Sequence, residues 1–139
     1  MAKVHIIVSE FNQPIPDGLL KGALKAFSEA KFPQKEIEVS YVPGAFELPL
    51  AAKKKATEAQ TKLVICLGAV INGDTDHYQY VCAETARGIM QVTLETMKPV
   101  LFGVLTTQTE KHAIDRSLDN QANKGYECGL TALKLLKVK

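Results

Sequence analysis

Four short apolar segments are spread along the chain, and each has the length of a β-strand. They are Val4 to Val8, Ile37 to Val42, Lys62 to Leu67 and Val100 to Leu105. The third and fourth are almost continuously apolar, which is typical of strands that are covered on both faces of a sheet. The pattern therefore predicts four interior strands.

The segments between these strands have apolar residues at spacings of three and four, the period of an amphipathic helix. The predicted helices cover roughly Leu19 to Phe27, Phe46 to Glu58, His77 to Val92, Glu110 to Ser117 and Gly125 to Lys137. Strands that alternate with helices predict βαβ units. The predicted fold class is α/β: a three-layer, flavodoxin-like sandwich whose four parallel strands have the order 2-1-3-4, with helices on both faces.

Length and composition place the chain among ordinary globular proteins. Its 139 residues predict a single domain, 1–139. A content of 46% hydrophobic and 23% charged residues excludes disordered, collagen-like and coiled-coil chains. The 17 basic and 15 acidic residues nearly balance, so we expect neither a nucleic-acid partner nor a membrane surface.

The three cysteines, Cys66, Cys82 and Cys128, are far apart and have apolar neighbours. Buried free thiols in a reducing cytoplasm are the natural interpretation. No cysteine has a second ligand at zinc-binding spacing, so we expect no metal. The longest apolar run, Leu63 to Ile71, is too short to span a bilayer, and the N-terminus does not resemble a signal peptide.

Open α/β sheets bind ligands at the carboxyl ends of their strands, so the residues that follow each strand are the candidates for chemistry. These segments are Ser9 to Asn12, Pro43 to Glu47, Gly68 to His77, and Thr106 with Thr107. The third contains several glycines and runs into a helix that starts near His77, where free N–H groups and the Thr75 hydroxyl could bind an anion. Simple capping by Asp74, Thr75 and Asp76 is the alternative that spacing alone favours.

Individual side chains in these segments each have two interpretations. His77 could move protons at neutral pH, or be an ordinary histidine. Phe11 could stack on a flat ring or fill the core, and Glu47 could bind hydroxyls or support a helix dipole. Arg116 and Lys124 could hold an anion or be solvated. The residues alone leave these alternatives open.

Blocks along nearly the whole chain resemble the lumazine synthase (6,7-dimethyl-8-ribityllumazine synthase) family, in its order and spacing. The matching blocks are Ser9 to Asn12, Val42 to Pro49, Ala51 to Lys53, Leu67 to Ile71, Gly73 to Tyr78, Pro99 to Thr107, Ala113 to Arg116 and Asn123 to Gly125. Each block is weakly specific, whereas the set is highly specific.

The resemblance implies a transferase of riboflavin biosynthesis that uses no metal or organic cofactor. It condenses 5-amino-6-(D-ribitylamino)uracil with 3,4-dihydroxy-2-butanone 4-phosphate: an imine forms, phosphate leaves, the ring closes and water is lost. A flavin or lumazine carrier without turnover is the alternative, and the presence of His77, Arg116 and Lys124 favours the enzyme. A receiver-type signalling domain is excluded, because the acidic cluster and phosphoacceptor aspartate that it needs are missing.

The resemblance also assigns roles to residues. The pyrimidine and its ribityl chain would contact Phe11, Ala45, Phe46, Glu47, Ala69, Val70 and Ile71. Phe11 would stack on the ring and Glu47 would accept hydrogen bonds from ribityl hydroxyls. The phosphate would be held by Asp74, Thr75 and Arg116, with positive charge added by Lys124. His77 would shuttle protons, and Phe102 would reach a neighbouring subunit's site.

An assembly follows from the same resemblance. We expect a cytoplasmic homopentamer, or an assembly of pentamers, with active sites between subunits and riboflavin synthase as a candidate partner. Four positions depart from the family's usual pattern. Asn72 stands where many relatives carry Arg, His112 stands where Gln is common, and Asp74 with Asp76 makes the third segment more acidic.

Overall fold

The computed structural model describes residues 2–137 and contains a four-stranded parallel sheet. Its strands are β1 (Val4–Ser9), β2 (Ile37–Val42), β3 (Leu63–Ile71) and β4 (Val100–Thr107). Their spatial order is β2-β1-β3-β4, and every neighbouring pair is parallel. The predicted α/β class and strand order are therefore confirmed.

Helices cover both faces of this sheet. They are α1 (Ile15–Glu29), α2 (Leu48–Ala56), α3 (His77–Thr96), α4 (Glu110–Asp115) and α5 (Lys124–Leu135), with 3₁₀ turns at Gln34–Glu36 and Ala45–Glu47. Helices α1 and α5 pack on one face, joined by Ala113 of α4, whereas α2 and α3 pack on the other.

The period of two in the strands explains how one sheet supports two cores. In β1, Val4, Ile6 and Val8 contact the α1–α5 layer, while Ile7 contacts the α2–α3 layer. All four side chains are fully buried. Apolar residues at consecutive positions are what a strand between two helical layers requires. Across the α1–α5 contact, a Cβ at Gly125 would collide with the backbone of Leu19, so the two helices approach closely only because this residue is glycine.

The predicted ends of two strands are wrong, because β3 and β4 pair over a longer stretch than their apolar runs indicate. Strand β3 does not stop at Leu67 but runs on to Ile71, because β4 pairs with it along its whole length, up to Ile71 with Thr107. Thr106 and Thr107 accordingly belong to β4 rather than to the segment after it.

The remaining differences concern helix ends. The predicted helix from Phe46 to Glu58 is a 3₁₀ turn followed by α2, whose first turn accommodates Pro49. The last helix begins one residue early, at Lys124, because the Asn123 side chain accepts a hydrogen bond from Tyr126 N and caps it. Helix α3 begins at His77, as predicted.

The three cysteines are free thiols that differ in exposure. Cys66 and Cys128 are buried, which confirms the prediction, whereas Cys82 is only half-buried. Burial raises the pKa of Cys128 to about 11 and raises that of Cys66 still further. Within residues 2–137, no helix is long and apolar enough to cross a membrane, and no three metal-ligating side chains form a group.

Candidate active site

A pocket of about 660 Å³ opens at the carboxyl edge of the sheet, where the sequence predicts a site. It lies between the turn after β1, the 3₁₀ turn at Ala45–Glu47, the end of β3 and the first turns of α3. Nine predicted site residues line it: Phe11, Ala45, Phe46, Glu47, Ala69, Val70, Ile71, Thr75 and His77.

The pocket exists because the two strands beside β3, which are β1 and β4, pair with it over different lengths. Strand β1 pairs with β3 only as far as Val8 with Leu67, whereas β4 accompanies β3 to Ile71. The last residues of β3, after Leu67, therefore have a neighbouring strand on one side only. On the other side, Ala69 to Ile71 line the pocket instead of a β-ladder. A ligand there can contact main-chain groups as well as side chains.

Aromatic rings surround the opening. Phe11 is 70% exposed, and Phe46 and Tyr80 are also exposed. Phe11 is therefore not a core residue, which removes one of the two interpretations that the sequence leaves open. Exposed rings around a concave surface favour stacking on a flat ligand or contact with another protein surface.

The carboxylate of Glu47 is held in one orientation by its own turn. Its Oε1 accepts a hydrogen bond from Gly44 N at 2.9 Å, while Glu47 N donates to Gly44 O at 3.2 Å. The carboxylate thus caps the N–H of Gly44, as the acidic residue of a capping box does, while the glycine contributes only its backbone carbonyl. The second carboxylate oxygen has no hydrogen-bond partner among the described residues, so Glu47 can cap the turn and accept from a ligand together.

The start of α3 is only partly capped by side chains. Thr75 Oγ1 accepts a hydrogen bond from His77 N at 3.3 Å, but Asp76, at the N-cap position, caps no N–H with its side chain. Asp74 also makes no side-chain hydrogen bond in the part of the chain that the structure describes. The capping interpretation thus holds for Thr75 alone, and the His77 ring lies exposed at the pocket.

Several lining residues are absent from the predicted site. They are Asn12, Pro43, Gly44, Gly73, Tyr78, Tyr80 and Val81. Tyr80 and Val81 follow His77 by three and four positions, so helical periodicity could have placed them on its face. Burial raises the pKa of the Tyr78 hydroxyl, and Cys82 beside it raises that pKa further.

Four predicted site residues do not line this pocket. Asp74 is exposed between two residues that do, Gly73 and Thr75. Phe102 lies half-buried on β4 and packs against the α2–α3 core. Arg116 and Lys124 lie together elsewhere, at the end of α4 and the start of α5.

We call Arg116 and Lys124 the basic corner. Arg116 Nε donates to Ala122 O at 2.8 Å, and its Nη2 lies 3.6 Å from Glu127 Oε2. Lys124 Nζ lies 3.2 Å from Glu127 Oε1. Both cations thus share a single carboxylate.

A comparison with known protein families agrees with this geometry. The profile of the 6,7-dimethyl-8-ribityllumazine synthase family matches residues 1–139. Members of that family are transferases of riboflavin biosynthesis that condense 5-amino-6-(D-ribitylamino)uracil with 3,4-dihydroxy-2-butanone 4-phosphate. The match covers the whole chain, which therefore belongs to the 6,7-dimethyl-8-ribityllumazine synthase family.

Proposed function

We propose that each active site of this lumazine synthase forms between two subunits of a homopentamer. The proposal rests on the observation that the pocket and the basic corner lie apart within one chain. The pocket has aromatic rings, main-chain groups, a carboxylate and a histidine, but no lysine or arginine of the described part of the chain lines it. One substrate is a phosphate ester with about two negative charges. The basic corner of a neighbouring subunit would supply the missing positive charge.

The pocket suits the pyrimidine substrate. The ring stacks on Phe11, and its polar edge contacts the main chain at Ala69 to Ile71, which no strand covers on the β1 side. The ribityl chain extends toward Ala45 and Phe46, where the unpartnered oxygen of Glu47 accepts hydrogen bonds from its hydroxyls. Phe102 of the neighbouring subunit closes the other side of the ring.

The phosphate of the second substrate binds at the start of α3. The Thr75 hydroxyl faces an anion there together with Tyr78 N, the one N–H among residues 77–79 that has no partner in the described structure, and Asp74 contributes its backbone. Arg116 and Lys124 of the neighbouring subunit release the Glu127 carboxylate and bind the phosphate instead. These cations stabilise the charge that grows on the phosphate as the C–O bond breaks.

His77 lies where both substrates meet and transfers the protons of the condensation. The 5-amino nitrogen attacks the ketone carbon, loses a proton to His77, and the carbonyl oxygen receives a proton and leaves as water. The carbon between the imine and the phosphate-bearing carbon then loses a proton, and the C–O bond to phosphate breaks as a C=C bond forms. The resulting enol converts to a ketone, and attack of the ribitylamino nitrogen on this ketone closes the ring with loss of a second water. Holding two small reactants in one pocket supplies much of the acceleration.

An apolar stripe on α3 supports association of several chains. Met90 and Leu94 are exposed one helical turn apart on α3, and Met97, which ends the helix in a left-handed conformation, is exposed beyond them. Leu50 on the neighbouring α2 is exposed as well. Burying such a stripe against another copy removes apolar surface from water. We also propose that the enzyme acts in the cytoplasm and that riboflavin synthase consumes its product.

Mixed assemblies test the shared site. His77→Ala damages the pocket, and Arg116→Ala damages the basic corner. In a co-expressed 1:1 mixture of the two variants, about one quarter of the sites would combine an intact pocket with an intact corner. The mixture should therefore exceed the mean activity of the two variants assembled separately. Activity equal to that mean would show that each chain builds its own site, and light scattering gives the particle mass.

A further inference from the structure

The turn that carries Phe11 makes different hydrogen bonds on its two sides. On the β2 side, Glu10 N donates to Val42 O at 2.9 Å and Phe11 N donates to Pro43 O at 3.0 Å. On the β3 side, the described hydrogen bonds contain a single link beyond the end of β1. This link is the Asn12 side chain, whose Nδ2 donates to Ala69 O at 2.9 Å.

Asn12 occupies a backbone conformation that few residues adopt comfortably. Its φ is +69°, in the left-handed region where asparagine and glycine are the most tolerant residues. This conformation turns the chain away from the sheet, and Asn12 O then accepts a hydrogen bond from Ile15 N at 3.1 Å at the start of α1. The left-handed turn and the amide link to β3 thus depend on one residue.

The bond from Asn12 to Ala69 also takes the place of a backbone hydrogen bond that a longer β1 would make. Pairing between β1 and β3 ends at Leu67, but Ala69 is still buried. A buried carbonyl needs a hydrogen-bond partner, and the Asn12 amide supplies it in place of a backbone N–H. Asn12 therefore connects the residue that bears the stacking ring to the β3 backbone on which the ring's polar edge would rest.

We propose that Asn12 is a positioning residue for the pyrimidine substrate, acting by holding Phe11 and Ala69 at a set separation. The inference rests on the proposed function, because it assumes that the ring stacks on Phe11. Asn12 itself lines the pocket, so direct contact between its amide and the substrate is the competing role. The two roles predict different coupling between positions 11 and 12.

Two substitutions isolate the amide. Asn12→Gly keeps the left-handed turn and removes the hydrogen bond, while Asn12→Asp keeps the shape but replaces the donor with an acceptor that repels Ala69 O. Each should raise KM for the pyrimidine substrate by about threefold to tenfold, with kcat and KM for the phosphate substrate within about twofold of the unmodified enzyme. The matched control is Lys31→Gly, at φ +58° after α1 and outside the pocket, which should leave both constants unchanged.

A double-mutant cycle then separates positioning from direct contact. If Asn12 acts through Phe11, the pyrimidine KM of the Phe11→Ala, Asn12→Gly double variant should equal that of Phe11→Ala alone. Additive increases would overturn the inference, and so would unchanged KM in both single Asn12 variants. If Phe11→Ala alone leaves the pyrimidine KM unaltered, the stacking role fails and this inference fails with it. If Phe11→Ala raises KM while the Asn12 variants do not, only this inference fails.

Discussion

The pocket and the basic corner differ in the side chains that they offer to a ligand. The pocket has shape, exposed rings and a histidine at the carboxyl edge of the sheet, but no cation among residues 2–137 lines it. The basic corner has two cations held by Glu127, and neither of them lines the pocket. The proposed function therefore assigns the flat heterocycle and the phosphate to separate regions of one chain.

This separation shows why a chain with a well-formed core need not contain a finished active site. The two halves lie on different layers of the sandwich, since α3 packs on one face of the sheet and α5 on the other. Under the proposed function, a second copy brings its basic corner to the first copy's pocket, and assembly is then a condition for catalysis.

The largest expected effect follows from blocking that assembly. Leu94→Glu places a charge in the middle of the apolar stripe, where burial of an unpaired carboxylate is strongly unfavourable. We expect smaller particles by light scattering and a loss of activity of about a hundredfold or more. Leu135→Glu, the same change at an exposed leucine on the opposite layer, is the control. Full activity in a dissociated Leu94→Glu chain would refute the idea that two copies share a site.

A smaller effect is expected from the basic corner. Arg116→Ala removes a charge-assisted contact and should raise KM for the phosphate substrate by about tenfold to a hundredfold, with little change for the pyrimidine. Steady-state kinetics with each substrate varied in turn measure the difference. Lys134→Ala, an exposed lysine near the end of α5, serves as the control. Equal increases for both substrates would mean that Arg116 supports the fold and not the phosphate.

His77→Ala should act on turnover and leave binding nearly intact. Because the condensation proceeds slowly without a catalyst, we expect kcat to fall by about tenfold to a hundredfold, at the low end for loss of a general acid–base group. The pH dependence of kcat should flatten in the same variant. A pH profile identical to that of the unmodified enzyme would remove His77 from proton transfer.

The smallest effect concerns His5, at the opposite end of the sheet. It is buried, with Nδ1 3.3 Å from Glu38 Oε1 and Nε2 3.7 Å from Glu58 Oε1, but neither nitrogen makes an aligned hydrogen bond. Burial lowers the pKa of His5, and Lys55 lowers it further, against the opposing effect of Glu38 and Glu58.

The sign of the pH effect follows from that direction. The folded-state pKa lies below the ordinary value of 6.5, so the unfolded chain binds the proton first as pH falls. The free energy of unfolding should decrease below pH 6.5, by at most about 1.4 kcal/mol per pH unit. His5→Gln should flatten this slope in urea unfolding between about pH 5 and pH 7 without altering KM. An unchanged slope would contradict it, and the exposed His112→Gln is the control.

Periodicity was sufficient for the fold but not for the ends of its elements. Runs of apolar residues locate strands, yet the end of β3 at Ile71 depends on how far β4 accompanies it, which is a property of two distant segments. The same mismatch of lengths creates the pocket. Tyr80 could have been found by counting from His77. Asn12 lies in a candidate segment of the sequence, but its bond to Ala69 could not be predicted, because the two residues are 57 positions apart.

The sequence by itself determined the α/β sandwich, the order of its strands, the edge that carries the site, and family membership. Each depends on local period or on short blocks of residues in a fixed order. Only the tertiary structure decided that Phe11 is exposed, that Glu47 caps its own turn, and that the basic corner lies away from the pocket. These outcomes depend on which distant segments meet, because exposure and hydrogen bonding are properties of neighbours in space rather than along the chain.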